Sequence, residues 1–237
     1  MRPATIAVDG PAASGKSTIG HALAARLGYA MVDTGVFYRL IALRAMKEDV
    51  PRDDAEGILA AGTQALADVM VKTTPDGPKV IFGTFSPGDP ELHSTEVSRH
   101  VPYVARVEAV RKLVRKIQRE ILSHGGVILA GRDIGTVVAP DAALKLYLDV
   151  SVSERATRRM WTQVERTRRS QEEWEAELAE RDKIDQARET SPLTIPPDAV
   201  VIRTDRLTVA ETVEMIVKMC GLEPLPGEAR TGTGGSR

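Results

Sequence analysis

The chain has 237 residues, a single cysteine and a formal net charge of −1. That length suits one α/β domain with a sizeable core, while the near-neutral balance excludes the broad basic field of a nucleic-acid or anionic-membrane binder. A lone Cys220 excludes an internal disulfide and suits a reducing compartment. No apolar run reaches bilayer length, and the first residues enter a strand almost at once, so a cytoplasmic protein without a membrane partner is expected.

In chain order, residues 5–9 (TIAVD) read as a short buried strand and 17–27 as an amphipathic helix. Between them Gly10, Pro11, Ala12, Ala13, Ser14, Gly15, Lys16 and Ser17 spell G-x-x-x-x-G-K-[ST], with Thr18 following. Glycine is needed where backbone amides close around anionic oxygens. Lys16 places a flexible cation on the β/γ-phosphates, and the Ser17 hydroxyl suits a magnesium site. A strand-to-helix turn also aims the positive end of the helix dipole at the phosphates. The loop therefore predicts binding of a nucleoside triphosphate, with a magnesium site at Ser17.

Further along, 30–32 reads as a strand, 35–47 and 53–67 as helices, and 68–73, 79–82 and 84–85 as a small antiparallel patch turning at Pro75-Asp76-Gly77. Helical periodicity returns over 104–122, and strands are predicted at 127–129 and 144–148. Helices over 153–165 and 171–187, a strand at 200–203 and a helix capped by Thr208 and ending at Cys220-Gly221 complete the pattern. Alternation of strands and helices predicts a parallel sheet covered on both faces. Residues 221–237, rich in Gly, Pro and small polar groups, read as a disordered tail. Trp161 and Trp174 read as packing anchors, and the four histidines lack metal-ligand spacing.

No Asn-Lys-x-Asp stretch is present to read guanine. Arginines instead recur where strands end: Arg39 after Thr34-Gly35, Arg132 in Gly131-Arg132-Asp133, and Arg155, Arg158, Arg159, Arg166, Arg168 and Arg169 within the eighteen residues 153–170. The guanidinium fork holds phosphoryl oxygens bidentately and stays charged when desolvated. The first three of the cluster are placed to close over ATP as a lid; the last three read as a solvated helix face with i,i+4 pairs.

The segments IAVDGPAASGKST, VDTGVFYR, GRDIGTVVAPDAALKLYLD and ERDKIDQARETSPL resemble the bacterial-type cytidylate kinases, from about Ile6 to Ile216. The resemblance implies a P-loop nucleoside-monophosphate kinase fold: a five-stranded parallel core flanked by helices within a single domain over 1–220. It implies a lid at about 153–170 and an acceptor-binding region at about 34–105 enlarged by a small antiparallel β insert. It further implies transfer of the γ-phosphoryl of ATP to CMP or dCMP, with magnesium, by a monomer acting on small molecules. Carried over by position, Arg39, Arg132 and Arg188 would grip the acceptor's 5′-phosphate, and Arg155, Arg158 and Arg159 would neutralise the transferred group beside Lys16. Arg111 and Asp133 would read cytosine, Asp185 and Arg181 would hold the sugar hydroxyls, and Thr34 would lie near the base. A carboxylate matches the amino donor at C4 of cytosine and a guanidinium its N3 or O2; uracil reverses both.

Three departures from the family pattern stand out. Ala130 ends its strand where relatives commonly carry an acidic residue that helps the magnesium shell, a duty left to Ser17, to waters or to Asp33. Pro102 replaces a base-contacting serine in the helix STEVSRHVPYVARVEAVR, which weakens the expected cytosine selectivity. Ala13 stands where many relatives have glycine, at a position the motif leaves free. Two alternatives share the same features: a nucleotide-binding regulator or degenerate kinase, and a kinase for UMP, AMP or another acceptor.

Overall fold

The structure, a computed structural model, describes residues 5–74, 77–83, 85–86, 88–163 and 169–222, without the side chains of Thr162 and Gln163. The expected turn at Pro75-Asp76, Thr84, Arg166, Arg168 and nearly all of the expected tail lie outside the described residues.

Strands β1 (Thr5–Asp9), β2 (Ala30–Asp33), β5 (Val127–Gly131), β6 (Leu144–Asp149) and β7 (Val200–Arg203) form one parallel sheet in the order β2-β5-β1-β6-β7. A separate antiparallel pair, β3 (Val69–Thr74) and β4 (Gly77–Phe82), forms the small insert. The helices are α1 (Lys16–Leu27), α2 (Gly35–Lys47), α3 (Ala55–Ala65), α4 (Thr95–Arg106), α5 (Glu108–Ser123), α6 (Val152–Gln163), α7 (Gln171–Gln186) and α8 (Val209–Cys220).

Alternation along the strands decides which layer each side chain joins. Ala7, Val127 and Leu129 face one core with the apolar sides of α2, α4 and α5. Ile6, Val8, Ile128 and Ala130 face the other, against α1 and α8. A third, small cluster of Ala12, Ala156, Trp174 and Leu178 ties the phosphate loop to α6 and α7. Central strand β1, flanked by β5 and β6, is thus clamped from both faces and delivers its carboxyl end to the loop at a fixed position.

Two local readings are corrected. The helical run over 104–122 is two helices parted at Val107, whose backbone is extended (φ −74°, ψ 111°). The break is stabilised by Arg111, whose Nη1 donates to the Ala105 carbonyl at 3.2 Å and so satisfies a carbonyl at the end of α4. The second is an unforeseen π-helical turn over Ile134–Val138, in which the Ala139 amide donates to the Ile134 carbonyl at 2.7 Å.

Candidate active site

The carboxyl ends of β1, β2 and β5 meet at one edge of the sheet, where ligands of open parallel sheets bind. Beyond β1 the chain enters the phosphate loop. A Cβ on Gly10 (φ +151°) would lie 2.6 Å from the Leu148 carbonyl oxygen, so no side chain fits where the loop crosses β6. Ala13 adopts φ +59°, a left-handed conformation that strains any residue with a Cβ. Alanine in this position is therefore not conformationally neutral, contrary to the reading of a free site. Lys16 is buried and folds back on the loop, donating to the Pro11 carbonyl at 2.6 Å and Ser14 Oγ at 3.2 Å. Burial, and next the charge of Arg132, hold its ammonium well below the usual lysine range.

In front of the loop lies a cavity of about 540 Å³. Lys16, Arg39, Arg132, Arg158, Arg159 and Arg181 wall it, with Ala12, Ala13, Ser14, Gly15, Ser17 and Thr18 as its floor. Asp33 is also on the wall; its carboxylate accepts from the Ser17 hydroxyl and, at 2.9 Å, from the Gly35 amide. Crowding depresses the cations. Burial, then Arg132, pushes Arg181 down to about 9, and burial, then Arg159, pushes Arg39 down to about 10. Burial also lowers Arg159. Such a cluster is relieved by an anion of high charge.

A smaller cavity adjoins this one, lined by Thr34, Arg111, Asp133, Asp185 and Arg188 among others. Asp33, Gly35, Val101, Arg132 and Arg181 border both cavities and so mark the junction between them. In the smaller cavity Arg111 Nη2 meets Asp133 Oδ2 at 2.6 Å, both side chains nearly inaccessible, with the guanidinium 5.6 Å from the Tyr38 ring centre. Burial pulls the Arg111 guanidinium down, yet Tyr38 and Asp133 outweigh it and raise it. The carboxylate of Asp185 accepts from Arg132 Nε at 2.9 Å and also from Arg188. Burial raises Asp185, but Arg132, Arg188 and Arg181 hold it below the usual carboxylate value. Thr34 Oγ1 donates to the Ala130 carbonyl at 2.8 Å, and Arg39 Nη1 to the Leu92 carbonyl and Ser98 Oγ.

Most of the residues singled out in the sequence therefore converge; a few do not. Arg155 is only 2% exposed and off the cavity wall. It donates to the carbonyls of Val150 and Ala12 and to Asp182 at 2.6 Å, so it braces the phosphate loop from behind. Arg181, expected beside Asp185 at the sugar hydroxyls, lines the smaller cavity with it and also borders the large one; among the described residues its Nε has no hydrogen-bond partner. Pro102 borders a third cavity with Arg52 and Tyr103 and neither of the first two. Trp174 is buried as anticipated, but Trp161 is 79% exposed on the wall of the large cavity, not a packing anchor. Arg169 is no solvated surface charge: it lies 4.1 Å over the Trp174 ring and pairs with Glu177 at 2.9 Å. Arg158 also pairs with Glu154, one turn earlier on α6, at 2.9 Å. Sequence reasoning passed over Asp182 and Ser98; nothing in their spacing marks them.

A glycine-rich loop at the end of a central parallel strand, opening on a cation-walled cavity, defines a P-loop kinase. A second pocket with a buried Arg–Asp pair adds the means to read a planar polar group. A sequence profile of the family described as cytidylate kinase matches residues 6–221, and the chain belongs to that family. A cytidylate kinase of Pelotomaculum thermopropionicum is 40% identical over 213 residues, covering 90% of this chain and 93% of that protein. One of Herpetosiphon aurantiacus is 40% identical over 225 residues, covering 93% and 96%. A bifunctional pantoate ligase/cytidylate kinase of Synechococcus sp. (strain JA-3-3Ab) is 41% identical over 215 residues; there the match takes in 90% of this chain but 40% of that longer protein.

Proposed function

We propose that the protein transfers the γ-phosphoryl group of ATP to the 5′-phosphate of CMP or dCMP, giving ADP and the nucleoside diphosphate. The observation that carries this reading is the set of six cations on one cavity, two of which, Arg132 and Arg181, also border the pocket holding Arg111 and Asp133. The donor's triphosphate lies on the loop, under Lys16 and the α6 arginines Arg158 and Arg159. The acceptor's base lies against the paired Arg111 and Asp133, and its phosphate meets Arg39, Arg132 and Arg188. An oxygen of that phosphate attacks the γ-phosphorus as the bond to the β,γ-bridging oxygen breaks. Charge on the equatorial oxygens falls beside Lys16, Arg132 and Arg181, so the protein contributes positioning and charge neutralisation, not a nucleophile.

The paired Ser17 hydroxyl and Asp33 carboxylate fit a Mg2+ ion, which takes one or two protein oxygens and completes its shell with phosphates and water. Bound there, the ion would neutralise β- and γ-oxygens, and Asp33 would replace the carboxylate missing at Ala130. A monomer with a lid built on α6 completes the reading. Among the described residues no helix is long and apolar enough to cross a membrane.

A coupled assay of ADP formation with CMP, dCMP, UMP and AMP tests the proposal. Turnover led by CMP or dCMP is expected. Turnover led by UMP or AMP would reassign the acceptor, and ATP binding without turnover on any of them would make the protein a regulator.

A further inference from the structure

Asp9 is the last residue of β1, 1% exposed, and no step above uses it. Its register partner across the sheet is Gly131, the residue before Arg132 and Asp133. From there its carboxylate crosses the turn: Oδ1 accepts from the Ile134 amide at 2.8 Å and Oδ2 from the Gly135 amide at 2.7 Å. These are the first two amides of the π-helical turn, donors that have no partner within the turn itself.

Asp133 occupies the N-cap position of that turn, where an aspartate ordinarily satisfies such amides with its own side chain. Here it makes no cap hydrogen bond, and its carboxylate is turned to Arg111 at 2.6 Å on the wall of the smaller cavity. The cap has been handed to a residue 124 positions earlier in the chain, the one that leads into the phosphate loop.

We propose that Asp9 is a positioning residue: by capping the turn over Ile134–Val138 in place of Asp133, it leaves the Asp133 carboxylate free to read the acceptor base. It also ties the donor's loop and the acceptor's turn to one rigid strand end. The chemistry is specific to a carboxylate. Two converging N–H groups need two acceptor oxygens, and an asparagine would present one acceptor and one opposed donor. Burial raises the Asp9 carboxyl to about 6 despite both amide bonds, so this charge sits where folding alone gains little from it. The role assigned to Asp133 rests on the cytosine-nucleotide reading of the smaller cavity; the cap itself does not.

Asp9→Asn, Asp133→Asn and the double variant test it, with Asp9→Ser in place of the first if the asparagine protein does not fold. Asp9→Asn is expected to raise the KM for CMP about tenfold while ATP affinity stays within twofold. Amide hydrogen exchange at Ile134 and Gly135 should quicken, and the double variant should bind CMP no worse than Asp133→Asn alone. Unchanged exchange at the two amides would overturn the cap whichever nucleotide is the acceptor. Equal losses for ATP and CMP, or losses that multiply in the double variant, would overturn the action through Asp133. Should exchange quicken in an enzyme whose preferred acceptor proves to be another nucleotide, the cap stands and only the cytosine reading falls.

Discussion

Replacing Asp185 by asparagine removes the negative charge that holds Arg132 and Arg188 on the wall of the smaller cavity. The carboxylate is 1% exposed and is shared by Arg132 and Arg188, with Arg181 close enough to affect its titration. Removing one partner of a buried pair leaves the other charge uncompensated and costs about 3–5 kcal/mol. Asparagine keeps one acceptor oxygen for one of the two guanidiniums, which argues for the lower end, about 3 kcal/mol. For a domain of this size each kcal/mol moves Tm by roughly 2–4 °C, so a drop of roughly 6–12 °C is expected.

Calorimetric unfolding with and without CMP measures it, and saturating CMP should narrow the gap because the acceptor's phosphate restores negative charge beside Arg132 and Arg188. The pH dependence has a definite sign. The folded value of Asp185 lies below its unfolded value, so its contribution is complete above the ordinary carboxylate range of about 4 and is lost as pH falls through the lowered folded value. The gap between wild type and variant should therefore close on acidification below about pH 4. A drop under about 2 °C at pH 7, or a gap that widens in acid, would refute the charge-clamp argument.

Other expectations follow from single residues. Lys16→Ala should lower kcat by about two orders of magnitude or more in the coupled assay with ATP binding retained, since its charge counts most in the transition state. Asp133→Asn should lower the ratio of kcat/KM for CMP over UMP by roughly 10- to 100-fold, the scale of about 1–3 kcal/mol per bidentate base contact. Ala13→Gly should stabilise the protein by about 1 kcal/mol in urea unfolding by releasing the strain at φ +59°; a loss of stability would show that strain to be absent. Trp161→Phe should abolish the iodide-quenchable part of the tryptophan emission and leave the shielded Trp174 signal; an emission still quenched in the variant would contradict the observed exposures.

What could be read in the amino-acid order was whatever depends on neighbours in the chain. The phosphate loop lies within eight consecutive residues between a strand and a helix, and short apolar runs such as those of β1, β5 and β6 mark strands covered on both faces. Thr208 capping α8 and Gly221 ending it in a left-handed conformation are contacts within one turn, so they too were legible. The family pattern added candidates for an acceptor site, and Arg39, Arg111, Arg132, Asp133, Asp185 and Arg188 do meet around the paired cavities.

Tertiary structure alone decided how charges were shared out among those residues. Arg181 and Asp185 stand four residues apart on α7, yet the fold, which packs α7 on α6 and α4, gives the Asp185 carboxylate to Arg132 and Arg188. Arg155 and Arg158 lie three residues apart on one face of α6, but Arg155 reaches beneath the loop to the Ala12 carbonyl and Asp182, whereas Arg158 lines the cavity and reaches the carbonyls of Ser14 and Thr204. Asp9 caps amides 125 and 126 residues away. Side-chain hydrogen bonds follow distance in space, and that distance is set by which strands lie side by side, which local sequence does not encode.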